Sequence, residues 1–167
     1  FNLTEAGATQ VYSIGSGSGP GAGEGEISTT NTAGRDLVTY FSGFGTDGSA
    51  VIRSGNAPAG SLLVAGDNGA NTINVQANGT ATRVDPVDYT PFDFAGNSFG
   101  TLTVDGGIGA DVLNLASLGS SQSNPLTTNL NGGADADTLR VQSTSGNTGV
   151  VTLTGNAGDD LFQLFSA

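Results

Sequence analysis

The chain has 167 residues, of which 36% are hydrophobic and only 11% charged; Asp and Glu outnumber Lys and Arg 15 to 4, for a formal net charge of −11. An acidic surface of this kind repels phosphate backbones and anionic lipid, and no apolar run is long enough to cross a bilayer, which argues against nucleic-acid binding and a membrane span. Cys and His are both absent, so there is no disulfide framework, no thiolate or imidazole metal site and no histidine acid–base; any metal would be a hard cation held by oxygen.

The chain begins at Phe1 and contains no Met, from which a processed protein or an excerpt of a longer one is expected. Residues 1–26 read as a strand, Gln10-Val-Tyr-Ser-Ile14, followed by a Gly/Ser-rich linker from Gly15 to Gly25. From Ile27 onward short strands rich in Thr and Val alternate with Gly, Asn and Asp, and no segment has helical periodicity with caps. Residues 27–167 are therefore expected to be all-β and to form a single β-solenoid built from repeats. A weak repeat lies near Asp36, with Val38 and Tyr40 after it and Gly34 before it.

Four clear repeats follow. They read Val64-Ala-Gly-Asp-Asn-Gly-Ala-Asn-Thr-Ile-Asn-Val75, Val104-Asp-Gly-Gly-Ile-Gly-Ala-Asp-Val-Leu-Asn-Leu115, Leu130-Asn-Gly-Gly-Ala-Asp-Ala-Asp-Thr-Leu-Arg-Val141 and Leu153-Thr-Gly-Asn-Ala-Gly-Asp-Asp-Leu-Phe-Gln-Leu164. Their acidic or amide positions, Asn71, Asp111, Asp137 and Asp160, recur at intervals of 40, 26 and 23 residues. Two and four residues after each comes an apolar pair: Ile73 and Val75, Leu113 and Leu115, Leu139 and Val141, Phe162 and Leu164. Alternate residues of a strand share a face, so these sets point the same way and predict a parallel β-solenoid, a β-roll or β-helix with unequal coils and open ends. The longest insertion, Gln76 to Gly100, is expected on the side away from the loops, its Phe92, Phe94 and Phe99 forming a lid on the core or a contact patch. The charges of Glu24, Glu26, Asp85, Asp88 and Asp93 read as solvated.

The loops resemble the RTX, or hemolysin-type, calcium-binding nonapeptide Gly-Gly-x-Gly-x-Asp-x-apolar-x. Gly106 to Asn114 fits every specified position; the third loop departs at Asp135, the fourth at Asn156, and the first at Asp67 and Asn71. The resemblance implies a parallel β-roll with Ca2+ between successive loops. Its ligands would be Asp111, Asp137 and Asp160, with Asn71 and Asp135 as further candidates, and the carbonyls of Gly106, Ile108, Gly132, Ala134, Gly155 and Ala157. Family rolls carry the nonapeptides in immediate tandem, whereas single copies are widely spaced here, as in large bacterial surface proteins. Gly, Asn and Asp also tolerate left-handed turns, and stacked Asn or Asp can form hydrogen-bonded ladders, so metal-free turns remain the alternative.

An enzyme is not expected: there is no His or Lys, the four Arg are scattered, and the adjacent carboxylates Asp159 and Asp160 do not face each other across a cleft. The expected function is that of an extracellular, secreted structural protein, a calcium-stabilised unit of a bacterial surface protein or self-assembling filament. Its partners would be further copies joined end to end or neighbouring repeats of a larger chain. The strand Val11 to Ile14 is a candidate to pair with the open end of another subunit. The alternative is an adhesin module, for a cell-surface glycan with the Tyr89 to Phe99 insertion as the candidate contact, or for ice, at which Thr101-Leu-Thr103 and Thr152-Leu-Thr154 hint.

Overall fold

The computed structural model describes residues 61–165 except 88, 90, 95–98, 120–125 and 144–148, and, before them, the strand segments 2–3, 9–14, 25–30, 36–41 and 50–54. The linker expected from Gly15 to Gly25 therefore lies outside the described residues, save Gly25. The described chain is all-β, with no helix. Its strands are β1 (Asn2–Leu3), β2 (Thr9–Ile14), β3 (Gly25–Thr30), β4 (Asp36–Phe41), β5 (Ala50–Ser54), β6 (Ser61–Ala65), β7 (Thr72–Asn78), β8 (Ala81–Pro86), β9 (Phe92–Phe94), β10 (Thr101–Ile108), β11 (Val112–Leu115), β12 (Thr127–Ala134), β13 (Thr138–Val141), β14 (Val151–Ala157) and β15 (Leu161–Leu164).

They form two mixed sheets. One runs β14-β12-β10-β6-β2-β3-β4, the other β1-β5-β9-β8-β7-β11-β13-β15. In each aligned repeat the chain passes from the first sheet to the second through its Gly-rich loop. Strands β6, β10, β12 and β14 are parallel, with Val64, Val104, Leu130 and Leu153 in line. Strands β7, β11, β13 and β15 are also parallel, aligning Ile73, Leu113, Leu139 and Phe162, and then Val75, Leu115, Val141 and Leu164. This register places the apolar pairs of the repeats opposite one another. A slip by one residue would turn each apolar set outward.

Between the two sheets, Leu62, Val64, Leu102, Val104 and Leu130 meet Ile73, Val75, Leu113, Leu115, Leu139 and Val141, all buried. Full burial of each such aliphatic side chain contributes roughly 1.5–3 kcal/mol. The outer faces are mostly polar, with Leu63, Val112 and Leu161 as exceptions, and also tie the strands together. Asn129 Nδ2 donates to Thr103 Oγ1 (3.3 Å), Asn131 Nδ2 to Asp105 Oδ2 (3.1 Å) and Asn114 Nδ2 to Asn74 Oδ1 (3.2 Å).

The remaining pairings are not uniformly parallel. β2, β3 and β4 pair antiparallel, as do β7, β8 and β9, because Gly79 (φ 61°) and Thr80 close a two-residue hairpin and send the insertion back along β7. Phe92, Phe94 and Phe99 are consequently core residues, with Phe94 and Phe99 edge to face at 5.7 Å, rather than a contact patch. Asp93 also departs from the expectation of a solvated charge: it is 8% exposed and receives the Arg83 guanidinium through two bonds of 2.9 Å, with Asn78 Nδ2 at 3.2 Å from both oxygens.

Strand β2 is paired on both sides, parallel to β6 and antiparallel to β3, so the Val11 to Ile14 segment is an interior strand and not a free one. The strand at Asp36, β4, edges the first sheet and is separated from β6 by β3 and β2. In the aligned repeats the acid precedes a strand of the second sheet; Asp36 instead starts a strand of the first. Five residues before it stands Asn31, where each aligned loop has Gly.

Candidate functional site: the aspartate corner

Each aligned loop joins the two sheets at a corner, and one glycine makes that corner possible. Gly66, Gly106, Gly132 and Gly155 each precede the corner acid or amide by five residues. A Cβ on Gly106 would run into Asp111 Oδ2 and the Gly132 carbonyl; on Gly132 it would meet the Asp137 side chain, on Gly155 that of Asp160, and on Gly66 Asn71 Oδ1 and the Gly106 carbonyl. The corner side chain folds inward onto the space a glycine leaves.

Two further loop positions take left-handed backbone. In the second, third and fourth repeats these are Gly107 and Gly109 (φ 96° and 112°), Gly133 and Asp135 (113° and 77°), and Asn156 and Gly158 (74° and 135°). The departures from glycine at 135 and 156 are thus to Asp and Asn, the residues that best tolerate this conformation. Asp135 also accepts a bond from Gly109 N–H through Oδ2 at 3.2 Å, and Asn156 Nδ2 donates to Asn131 Oδ1.

The inward carboxylates form a ladder. Asn71 N–H donates to Asp111 Oδ1 (2.7 Å), Asp111 N–H to Asp137 Oδ1 (2.8 Å) and Asp137 N–H to Asp160 Oδ1 (3.0 Å). Beside it runs a backbone series in which Val112, Thr138 and Leu161 donate to the carbonyls of Asn71, Asp111 and Asp137, each at 2.8 Å. Asp111 and Asp137 are each 1% exposed, and the Oδ2 of both is buried without a hydrogen-bond partner. Burial pushes the Asp111 carboxyl up to about 6; the Asn71 N–H opposes this, while the charges of Asp137, Asp67 and Asp105 add to it. Burial raises Asp137 as well, against the Asp111 N–H and with the charges of Asp160 and Asp135.

The first repeat ends the ladder differently, and its two departures from the nonapeptide are coupled. Asn71 Nδ2 donates to Asp67 Oδ1 (3.0 Å), and Asn71 Oδ1 accepts from Asp67 N–H (3.1 Å). Asp67 Oδ1 also receives Gly69 N–H (2.8 Å) and its Oδ2 the Tyr89 hydroxyl (2.8 Å). Burial works to raise the Asp67 carboxyl, but the bonds from Gly69, Tyr89 and Asn71 outweigh it and hold it below the usual value. A neutral amide at 71 supplies a donor to Asp67 where a carboxylate would repel it. Sequence reasoning missed this pair; the signal was that both departures fall in one loop.

Every donor facing the corner is an oxygen, which is the chemistry of a hard divalent cation such as calcium. The unpartnered Oδ2 atoms of Asp111 and Asp137, and the Gly132 carbonyl oxygen, which with Asp111 Oδ2 borders the place a Cβ on Gly106 would take, fit such an ion at the corners of the second and third repeats. Among the described residues no three carboxylates gather around one point, so an ion here would draw on backbone carbonyls. Asn71 has its amide engaged with Asp67. In comparisons with known proteins, no family model, curated protein or solved structure matches the chain.

Proposed function

We propose that the aligned repeats between Ser61 and Leu164 stack as a parallel β-solenoid with unequal coils, the longest insertion folding back antiparallel as β8 and β9, and serve as a structural unit of an extracellular bacterial surface protein or filament, with RTX-like corners that take up calcium. The observation that carries this reading is the in-register parallel pairing of successive repeats together with the aspartate ladder at one corner. Asp111, Asp137 and Asp160 would hold the ions, with carbonyls of Gly106, Ile108, Gly132, Ala134, Gly155 and Ala157. When bound, calcium supplies the positive charge that offsets the stacked carboxylates. The chain's own part is to turn one oxygen of each acid to a neighbouring N–H and to leave the second oxygen of Asp111 and of Asp137 without a hydrogen-bond partner.

With few carboxylates per ion the expected affinity is weak, in the range of about 10⁻⁴–10⁻³ M found in extracellular calcium modules, so that the sites would fill in a secreted, cell-surface setting. The role is non-catalytic, since the chain has no His and its central carboxylates are committed to backbone N–H groups. A second reading, an adhesin face for glycan or ice, draws on the aligned outward columns Thr103, Asn129, Thr152 and Asp105, Asn131, Thr154. Burial of Phe92, Phe94 and Phe99 withdraws the phenylalanines of the insertion from any glycan-stacking platform. Calcium titration followed by circular dichroism and melting, with a chelator and magnesium as controls, tests the structural reading. A calcium-specific, chelator-reversible rise in melting temperature supports it, and no response at millimolar calcium counts against it.

A further inference from the structure

The first aligned loop meets a different neighbour from the others. Each later loop stacks on the loop before it, whereas this one faces the segment after β8. That segment is held by Val87 N–H donating to the Thr72 carbonyl (2.8 Å) and Tyr89 N–H to the Pro86 carbonyl (3.1 Å). Between the two lies a cavity of about 180 Å³, lined by Asp67, Ala70 and Thr72 from the loop and the start of β7, and by Val87 and Tyr89 from the segment. The Tyr89 side chain packs against the core, and its hydroxyl donates to Asp67 Oδ2 (2.8 Å), which fixes ring and carboxylate side by side.

Among the described residues, only neutral donors meet the Asp67 charge: the Gly69 N–H, Asn71 Nδ2 and the Tyr89 hydroxyl. Those bonds hold its carboxyl below the usual value, so it is ionised at neutral pH. No described cation lines the cavity; the chain has no Lys, and Arg83 and Arg140 are turned to Asp93 and Gln163. A carboxylate oxygen accepts two hydrogen bonds, so Oδ2 can take an N–H beside the Tyr89 hydroxyl. An aromatic ring next to a carboxylate favours a positive charge. Ala70 and Val87, the latter 45% exposed, supply an apolar wall for a short hydrocarbon stem. Since an apolar cavity of about 150 Å³ accepts benzene, this one suits a group of about five or six non-hydrogen atoms and is too small to enclose a sugar ring with its hydroxyls. A bare divalent cation fits less well, because it would compete with three donors already on the one carboxylate.

We propose that this cavity binds a primary alkylammonium group, with the nitrogen between Asp67 Oδ2 and the Tyr89 ring and the methylenes against Ala70 and Val87. A lysine side chain of a partner polypeptide and a free alkylamine share that chemistry, and the net charge of −11 attracts either. The site is separate from the inward corner acids and does not depend on their taking up calcium.

The test is an NMR titration of the full chain, in chelator, following the amides of Gly69, Ala70 and Tyr89. The probes are n-butylammonium, Nα-acetyl-lysine methylamide and 1,4-diaminobutane, with n-butanol and the Nε-acetylated lysine derivative as uncharged controls. Saturable shifts with the amines and none with the controls are expected. Binding should weaken at least tenfold in Asp67→Asn and Tyr89→Ala. It should also weaken in Val87→Lys, which offers the cavity an ammonium of the chain's own and leaves the Asp67 hydrogen bonds in place. Slow amide exchange at Val112, Thr138 and Leu161 shows that each variant is folded. Lysine derivative bound as tightly as the diamine points to a partner's side chain, and diamine bound at least tenfold more tightly points to a free amine; both support the site. No saturable shift, an equal response to butanol, or undiminished binding in both Asp67→Asn and Val87→Lys overturns it, and none of these results bears on the stacked repeats.

Discussion

The Asp111 N–H donates to the Asp137 carboxylate at 2.8 Å across 26 residues of sequence, and the second oxygen of that carboxylate is buried without a partner. The same half-satisfied arrangement occurs where Asn71 N–H meets Asp111. Asp111 and Asp137 thus each lock one repeat to its predecessor while carrying an unmet electrostatic demand. Unpartnered buried polar atoms cost free energy, so a ligand or a proton that satisfies them is stabilising. The calcium and pH behaviour expected of the chain both follow from this.

Gly106→Ala and Gly132→Ala are expected to destabilise the chain by about 1–3 kcal/mol, because the new methyl meets Asp111 Oδ2 and the Gly132 carbonyl in one case and the Asp137 side chain in the other. Gly69→Ala is the control. Its added carbon would lie 3.3 Å from Asp67 Oδ1, a side-chain atom with some freedom to shift, so the effect should be smaller. Urea unfolding curves compare the three.

Without calcium, the chain should become less stable as pH rises from 4 to 7. The unfolded Asp111 carboxyl titrates near 3.8 and the folded one at about 6, so the native state holds the proton more tightly. That contribution is full below the unfolded value and is lost as pH climbs through the folded one, amounting to roughly 2–3 kcal/mol at most. Asp137 shifts in the same direction, whereas Asp67, held low, acts only at more acid pH. Melting temperatures measured in chelator should fall across this window, and Asp111→Asn should flatten the slope.

Calcium should reverse that trend, because it favours ionised carboxylates. At ten times the dissociation constant, each occupied site adds about 1.4 kcal/mol, worth about 3–6 °C in melting temperature for a chain of this size. Asp137→Ala, which removes the acid shared by two corner gaps, should abolish most of the response in a calcium-dependent melt.

Asn71→Asp is expected to destabilise the calcium-free chain by about 1–3 kcal/mol, since it removes the amide donor to Asp67 and sets two carboxylates against each other. Adding Asp67→Gly should relieve the repulsion and make the first loop match the full nonapeptide. In calorimetry, the double variant is expected to bind more calcium than the parent chain.

The parallel register of the four aligned repeats was legible because an alternating apolar pattern tolerates no slip, and four loops anchor it at Asn71, Asp111, Asp137 and Asp160. Outside these repeats pairing direction was not legible, since alternation marks a strand without naming its neighbour. The Val11 to Ile14 strand therefore read as free although β3 and β6 flank it, and the Gln76 to Gly100 insertion hid an antiparallel extension closed by Arg83 and Asp93. The corner acids were visible as residue types. Their inward orientation was not, because it depends on contact between each acid and the glycine five residues before it, and composition does not reveal such contacts.

The most direct test of the stacked-repeat account is an isotope-edited NMR measurement of amide–amide contacts between the corner residues. The account predicts an unbroken series of cross-repeat contacts linking Asn71 to Asp111, Asp111 to Asp137 and Asp137 to Asp160. A folded chain in which these amides make no contact with one another would contradict it.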